Sequence, residues 1–248
     1  MLSVIIIAKN EEASLGRCLE SVKWADEIIV LDSGSTDNTV AIAKEYTDKV
    51  YSTDWQGYGI QKQRALDHAT GHWVLNLDAD ETVSEELKLA IQAAIKADNA
   101  DAYRIPILLN FYDKPLTRSW CPKRHIRFYK REGARYTTNI IHEEVLVPPT
   151  ARIGKFKQAL QHHSFRDISH ALYKMNTYSS SSAIMRLKNN RKPSFLRTLL
   201  GTWTMFFRCY IIQGGFLEGR DGFVLAVLSA QGSFYRGIKL IYRDKEKG

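Results

Sequence analysis

The stretch that decides the fold is HWVLNLDADETVSEEL at residues 72–87. Residues 73–77 form a short apolar run that stops at Asp78, and Asp80 and Glu81 follow directly. A continuous apolar run of this length is typical of a strand covered on both faces, as in a parallel sheet. The acids are therefore expected at the carboxyl edge of a sheet, where open α/β folds bind their ligands.

Similar runs recur upstream and alternate with helical patterns. The predicted strands are residues 3–8 (SVIIIA), 27–31 (EIIVL), 49–53 and 73–77, and the predicted helices are residues 15–22, 38–46, 60–69 and 84–97. This alternation indicates the α/β class, with a mostly parallel sheet flanked by helices.

The pattern changes after residue 101. Residues 102–112, 125–131 and 134–147 resemble strands with longer connections, and helical periodicity dominates from residue 167 onward. We therefore expect a catalytic domain at residues 1–165 and a helical, basic C-terminal region at residues 166–248.

The net charge of +8 is confined to that C-terminal region. Residues 1–185 hold 23 basic and 23 acidic side chains, whereas residues 186–248 hold 12 basic and 4 acidic ones. This asymmetry predicts a polyanionic partner, either a membrane surface or a nucleic acid. Residues 195–213 predict an amphipathic helix, which favours membrane association; a core helix packed on the catalytic domain is the alternative.

Two features favour the cytoplasm. Met1 is followed directly by LSVIIIA, without the basic segment and cleavage site of a signal peptide. Cys18, Cys121 and Cys209 are scattered and form no CxxC pair, so they indicate neither a disulfide framework nor a zinc site. We expect a cytoplasmic protein held peripherally at the inner face of the cytoplasmic membrane.

The acids after the fourth strand suit a metal ion. In an extended segment the side chains at i and i+2 point the same way, so Asp78 and Asp80 are expected to converge. Paired carboxylates are hard ligands for Mg²⁺ or Mn²⁺, which can neutralise a leaving diphosphate. The alternative is structural, with Thr82 and Glu85 forming a capping box for the next helix.

Acids also follow the first two strands. Glu11 and Glu12 come after residues 3–8, and Asp32 opens the turn DSGSTD. An acid after the second strand can bind a ribose hydroxyl, although Asp32 by itself is more typical of a turn residue. No GxGxxG follows the first strand and no GxxxxGK[ST] occurs, which disfavours a dinucleotide-binding fold and excludes a P-loop.

Four segments in this order resemble a family 2 glycosyltransferase with the GT-A fold: SVIIIAKNEE, VLDSGSTDNT, QKQRAL and GHWVLNLDADE. The later segments RFYKREGARY and IIHEE, with GRDGF and GSFYRGIKL near the C-terminus, are similar to WaaE/KdtX-type lipopolysaccharide core biosynthesis glucosyltransferases. The resemblance covers almost the whole chain. It implies a Rossmann-like GT-A domain followed by a helical extension.

The resemblance also assigns site residues. It implies that the nucleotide-sugar is bound by Ala8, Glu11, Asp32, Lys62 and Asp78. The first three would hold the uridine, Lys62 would lie near the nucleotide, and Asp78 would approach the ribose and diphosphate. Asp80 would bind Mg²⁺ or Mn²⁺.

The acceptor base of the family is a later acid, and the match is looser there. Glu143 in IIHEE is the first choice, because it follows a strand-like run and the resemblance places a His-Glu pair there. One carboxylate suffices for a single inverting displacement. Glu144 and Asp113 remain alternatives. His142 would complete the metal shell or orient the acceptor. An exposed polar turn is the structural interpretation of the same residues.

Four further residues have weaker signals. Arg124 and Arg127 either meet acceptor phosphates or are ordinary half-exposed strand residues. His162 and His163 are interpreted as surface or acceptor-site residues, since no third ligand follows at a fixed spacing.

Taken with the acidic strand ends, the resemblance implies an inverting, metal-dependent transferase that moves glucose from UDP-glucose onto the heptose of a lipopolysaccharide inner core. The alternative is transfer of another hexose, such as galactose, to a different lipid-linked or surface glycan.

A nucleic-acid-binding protein is disfavoured by the lack of RNP-type aromatic residues and of a helix-turn-helix pattern. An inactive membrane scaffold is disfavoured by the intact Asp78, Asp80 and Glu143. The expected partners are a UDP-sugar, the core acceptor and the membrane surface, with no nucleic acid.

Overall fold

The computed structural model describes residues 1–112, 114–116, 124–137, 144–165, 167–188 and 194–245. By its internal contacts the chain forms two compact units: Met1–Leu108 with Pro122–His162, and Leu109–Cys121 with His163–Gly248. The expected domain division after residue 165 stays a prediction.

The elements up to residue 97 alternate between strand and helix, as the sequence predicts. They are β1 (Leu2–Ala8), α1 (Leu15–Glu20), β2 (Glu27–Asp32), α2 (Thr39–Lys44), β3 (Val50–Ser52), α3 (Tyr58–His68), β4 (Trp73–Asp78), β5 (Glu81–Thr82) and α4 (Glu85–Ala97). The next strands are β6 (Ala102–Phe111), β7 (Lys114–Pro115), β8 (Arg124–Lys130), β9 (Arg135–Tyr136), β10 (Val145–Leu146), β11 (Ile153–Lys155) and β12 (Leu160–Phe165).

Most strands form one mixed sheet in the order β3-β2-β1-β4-β8-β6-β12-β5. Strand β1 runs parallel to β2 and β4, β2 runs parallel to β3, and β8 runs antiparallel to β4 and β6. The predicted α/β class, with a sheet flanked by helices, is confirmed. Because β4 lies between β1 and β8, its last residue, Asp78, stands next to β8 at the carboxyl edge of the parallel strands.

Both faces of this sheet are covered, since strand side chains alternate between the faces. In β4, Leu75 and Leu77 join a core with residues of α1 and α4, whereas Val74 joins a second core with Leu66 of α3. This double burial explains the continuous apolar run in the sequence. Asp78 shares the face of Val74, so its side chain is directed to the side that α3 covers.

A buried acid at the opposite end of the strands is structural. Glu27, at the start of β2, accepts hydrogen bonds from the amide and the hydroxyl of Thr70, both at 2.9 Å, and from Ser3 and Lys49. Burial alone would raise the pKa of Glu27, but these hydrogen bonds lower it to about 2. Gly71 allows the close approach, because a Cβ there would lie 2.6 Å from Ser3 Oγ.

Three local features differ from the sequence-based expectations. Residues 134–147 contain two short strands, β9 and β10, paired antiparallel through Tyr136 and Val145. The cap of α4 is Ser84, whose hydroxyl accepts from the Leu87 amide at 3.3 Å, so Thr82 is not the capping residue. Strands β11 and β12 form where no strand was predicted, because pairing with distant segments of the sheet stabilises them.

The second unit is helical after residue 167, as expected. Its helices are α5 (Ile168–Lys188), α6 (Phe195–Phe207) and α7 (Gly219–Lys245), with a π-helical segment (Arg208–Ile212) and a 3₁₀ turn (Gly215–Glu218) between the last two. Phe111, Leu116 and Leu225 form its small buried cluster. None of the helices in the described part of the chain is both long enough and apolar enough to cross a membrane.

Candidate active site

The carboxyl ends of β1 and β2 lie side by side. Ala8 pairs with Asp32 in the parallel register, and the Ser33 amide donates to the Ala8 carbonyl oxygen at 2.9 Å. Asp32 is 2% exposed, and its carboxylate accepts from the amides of Gly34 and Ser35 at 2.9 and 3.0 Å. These contacts are those of a turn residue, and the assignment of Ala8 and Asp32 to the uridine stays a prediction.

Glu11 lies in the loop that follows β1. Its amide donates to Thr39 Oγ1 at 2.8 Å, and its carboxylate accepts from Ser14 Oγ at 2.5 Å. Thr39 begins α2 and Ser14 precedes α1, so Glu11 connects the first turns of two helices at this edge of the sheet. Its predicted contact with the uridine is likewise untested.

Asp78, at the end of β4, is held between two cations. Its Oδ1 lies 3.0 Å from Lys62 Nζ, and its Oδ2 lies 2.6 Å from Arg127 Nη2. Lys62 belongs to α3, which covers this face, and Arg127 belongs to β8, the strand next to β4. The side chains of Lys62 and Arg127 are only 5% and 9% exposed, so both charges are largely removed from water. The carboxylate of Asp78 therefore compensates two buried charges.

Glu81 completes this buried cluster. Its side chain is fully buried, with Oε1 3.0 Å from Arg127 Nη2 and Oε2 accepting from the Asp78 amide at 2.9 Å. Arg127 thus bridges two acids. Its Nε and Nη1 atoms are buried and have no hydrogen-bond partner within the described residues. Buried donors without a partner cost free energy of folding, so a purely structural role for Arg127 would be unusual.

The same contacts set the ionisation of the cluster. Burial alone would raise the pKa of Asp78, but the charges of Arg127 and Lys62 outweigh it and hold that pKa well below its usual range. Burial raises the pKa of Glu81, and the charge of Asp78 adds to this effect while Arg127 opposes it. Asp78 is accordingly the more acidic of the two buried carboxylates.

Asp80 has a different partner. Strand β4 ends at Asp78, and Asp80 lies in the turn before β5, so the alternation of side chains in a strand does not extend to it. Its Oδ1 lies 3.2 Å from Nε2 of His162, which β12 brings to this edge by pairing with β5. Burial would lower the pKa of His162, but its hydrogen bond with Asp80 and the nearby acids raise it.

Asp80 and His162 together fit a divalent cation that takes most of its ligands from water or phosphate. The Asp80 carboxylate and the His162 imidazole supply one oxygen and one nitrogen donor, whereas both oxygens of Asp78 are already engaged. Among the residues that the structure describes, no group of three or more His, Cys, Asp or Glu side chains could hold a metal. Because Mg²⁺ and Mn²⁺ commonly retain water and phosphate oxygens, two protein donors are compatible with an ion bound together with a diphosphate.

The predicted base and its neighbour lie outside the described residues. This holds for Glu143, for His142 and for the alternative Asp113. The other alternative, Glu144, is exposed directly before β10, where its amide donates to Thr137 Oγ1 at 3.1 Å. The choice of base therefore stays a prediction.

Sequence reasoning missed three members of this site. Arg127, interpreted as an acceptor-phosphate contact or a half-exposed strand residue, is buried against two acids. His162, interpreted as a surface or acceptor-site residue, is paired with Asp80. In the sequence, Glu81 is distinguished only as part of the acidic run 78–81. No local signal marks Arg127 as a partner of the two acids, because it reaches them through the pairing of β8 with β4. No local signal links His162 to Asp80.

Comparison with known proteins agrees with this architecture. Residues 3–157 match the family model described as Glycosyl transferase family 2. Over 251 residues the chain is 35% identical to an uncharacterized glycosyltransferase of Rickettsia bellii, covering 96% of this chain and 85% of that protein. Over 257 residues it is 30% identical to the lipopolysaccharide core biosynthesis glycosyltransferase LpsC of Rhizobium meliloti, covering 99% and 94% of the two chains.

Among solved structures, S. aureus TarS 1–349 aligns with 98% of this chain and 91% of its own, at 18% identity and a TM-score of 0.47. The family model covers most of the first unit, and both curated relatives are matched along nearly their whole length. The chain therefore belongs to glycosyltransferase family 2, has a GT-A-like fold and is a glycosyltransferase.

Proposed function

We propose that the enzyme is an inverting, metal-dependent transferase that moves glucose from UDP-glucose onto the heptose of a lipopolysaccharide inner core. The observation that carries this assignment is the end of β4, where Asp78 lies between Lys62 and Arg127 and Asp80 is paired with His162. The relative LpsC is named for lipopolysaccharide core biosynthesis, which supports the acceptor class. The resemblance to WaaE/KdtX-type enzymes supports glucose as the donor sugar.

In this scheme the nucleotide lies along the carboxyl edge of the parallel strands. Ala8, Glu11 and Asp32 bind the uridine, and Asp78 approaches the ribose and diphosphate. Lys62 and its partner on β8 keep Asp78 ionised. A carboxylate oxygen has two lone pairs, so a ribose hydroxyl can donate to Asp78 while both cations stay in place.

Asp80 and an imidazole would hold Mg²⁺ or Mn²⁺. His142 is the histidine assigned from the sequence, and the position of His162 against Asp80 supports His162 as a second candidate. When bound, such an ion neutralises charge on the departing diphosphate. The lack of a third protein donor among the described residues leaves room for phosphate oxygens of the donor.

Glu143 acts as the base in this scheme. It accepts the proton of the acceptor hydroxyl while the hydroxyl oxygen forms a bond to the anomeric carbon and the bond from that carbon to the diphosphate breaks. UDP leaves with the electron pair, and the single displacement inverts the anomeric configuration. Glu144 and Asp113 remain the alternatives for this role.

The second unit supports a location at the inner face of the cytoplasmic membrane. Helix α6 carries apolar side chains at i, i+4, i+7 and i+11 that are 53–67% exposed: Leu196, Leu200, Trp203 and Phe207. This spacing places them on one face. The basic excess lies in the same region, and an anionic lipid surface attracts both features together.

A direct assay tests the reaction. Purified protein is incubated with UDP-glucose or UDP-galactose and with core oligosaccharides that end in heptose, in Mg²⁺, Mn²⁺ or EDTA. We expect glucose transfer that EDTA abolishes, and NMR should show a β-linked product from the α-linked donor. Transfer only from UDP-galactose would favour the alternative hexose, an α-linked product would contradict inversion, and full activity in EDTA would contradict metal dependence.

A further inference from the structure

Helices α5, α6 and α7 enclose a cavity of about 330 Å³ within the second unit. Four arginines line it: Arg186 of α5, Arg197 of α6, Arg208 directly after α6, and Arg236 of α7. Serine and threonine residues also line the cavity, and none of its described lining residues is acidic. A cavity of this size is large enough for a small ligand.

Within the described residues, no acidic side chain forms a salt bridge with the arginines of this cavity. None of the salt bridges found among the described residues involves these four arginines. Arg236 Nη2 donates to Ser233 Oγ at 3.0 Å, but its buried Nε has no hydrogen-bond partner in the described part of the chain. Burial, and then the charge of Arg186, lower the pKa of Arg236.

Such an arrangement is complementary to a compact anion. Guanidinium groups present planar, paired donors that match phosphate oxygens, and hydrogen bonds between two charged groups are the strong ones. Arg197 of α6 and Arg208, the residue after α6, are eleven residues apart, about three helical turns, and both line the cavity. The helix backbone comes close to the cavity at Gly201, which has no side chain to fill it.

We propose that this arginine cavity is a binding site for a phosphate group. The site is separate from the transfer reaction, and phosphate binding there does not depend on the proposed donor, acceptor or metal. The exposed apolar residues Leu196, Leu200, Trp203 and Phe207 each directly precede a residue that lines the cavity. A phosphate carried by a lipid could therefore occupy the cavity while its acyl chains lie along the exposed stripe.

Two probes distinguish a lipid headgroup from a free phosphate. The first is inorganic phosphate, titrated calorimetrically at constant ionic strength. The second is a vesicle of phosphatidylcholine with phosphatidic acid, used in co-sedimentation with and without competing inorganic phosphate. The test variant is Arg197→Gln with Arg208→Gln, since both side chains are exposed and the fold does not depend on burying them. The matched control is Arg220→Gln with Arg243→Gln, two exposed arginines that do not line the cavity.

We expect the cavity variant to bind inorganic phosphate about ten-fold more weakly or worse, because a hydrogen bond to a charged group typically contributes that much. The control variant should bind like the parent. If vesicle binding falls in the same way and phosphate competes with it, the source is a lipid headgroup. If only inorganic phosphate binding falls, the source is a soluble phosphate group.

Two results would overturn the assignment. One is an equal loss of binding in the cavity variant and in the control, which would show that general surface charge is responsible. The other is a parent protein that binds neither probe. Glucose transfer to a soluble acceptor is measured on the same preparations. Because transfer needs no phosphate in the cavity, a failure of phosphate binding can be told apart from a failure of the proposed reaction.

Discussion

Replacing Arg127 by methionine should destabilise the first unit more than any ordinary surface substitution. Methionine fills much of the space of the arginine stem but removes the charge that bridges Asp78 and Glu81. Asp78 keeps Lys62 as a partner. Glu81 is fully buried and loses the guanidinium group 3.0 Å from its carboxylate, so the size of the effect depends mainly on the pair of Arg127 and Glu81.

The expected loss is about 3–5 kcal/mol of unfolding free energy at neutral pH, the usual cost of removing one partner from a buried ion pair. Arg127 and Glu81 qualify as such a pair, because their side chains are 9% and 0% exposed and their charged atoms lie 3.0 Å apart. A domain typically has only about 5–15 kcal/mol of stability, so the variant should fold but unfold at much lower urea concentration.

The loss of unfolding free energy should depend on pH, and the ionisation of Asp78 and Glu81 determines how. The folded pKa of Asp78 lies below its ordinary value of 3.8, so its contribution to stability is present above that value and lost as the pH falls. The folded pKa of Glu81 lies above its ordinary value of 4.5, so stability is lost as the pH rises through the folded pKa. Removing Arg127 raises both folded pKa values. The variant should therefore differ from the parent less at pH 4 than at neutral pH.

Urea unfolding followed by circular dichroism at pH 4 and pH 7.5 measures this difference. Arg124→Met is the matched control, because Arg124 is an exposed arginine on the same strand and should change stability by less than about 0.5 kcal/mol. Adding Glu81→Gln to Arg127→Met should restore part of the loss, since no buried charge then lacks a partner. The reasoning is refuted if Arg127→Met costs no more than Arg124→Met, or if its cost is the same at both pH values.

Three further outcomes are expected for the proposed function. Asp80→Asn should abolish metal-dependent turnover with an unchanged circular dichroism spectrum, because a lost carboxylate ligand weakens stabilisation of the leaving group; near-parental turnover would contradict this. Glu143→Gln should lower kcat about 10²–10⁴-fold while leaving UDP-glucose affinity unchanged, as loss of a general base typically does. If Glu143→Gln stays active while Glu144→Gln is inactive, the base has been assigned to the wrong residue. Trp203→Glu should reduce co-sedimentation with anionic vesicles, since it places a negative charge in the exposed apolar stripe. Trp55→Glu, the same change at another exposed tryptophan, should not reduce it. Equal binding by the two variants would argue against membrane docking through α6.

Some features of the protein follow from local sequence because they depend on short-range periodicity. The continuous apolar runs predict strands buried on both faces, and the cores on the two sides of β4 confirm this. The acids that end these strands are correctly placed at the carboxyl edge of the sheet, since parallel strands end together there. The helical nature of the C-terminal region and its charge are likewise visible in the sequence.

The partners of the acids were decided by tertiary structure alone. Arg127 reaches Asp78 across 49 residues of chain because β8 is the strand that lies next to β4. His162 reaches Asp80 because β12 pairs with β5, a two-residue strand without a sequence signal. The arginine cavity similarly draws its charges from three helices. A local pattern specifies which face a side chain occupies, but pairing between distant segments selects its neighbours, and those neighbours determine its ionisation and the ligand it can bind.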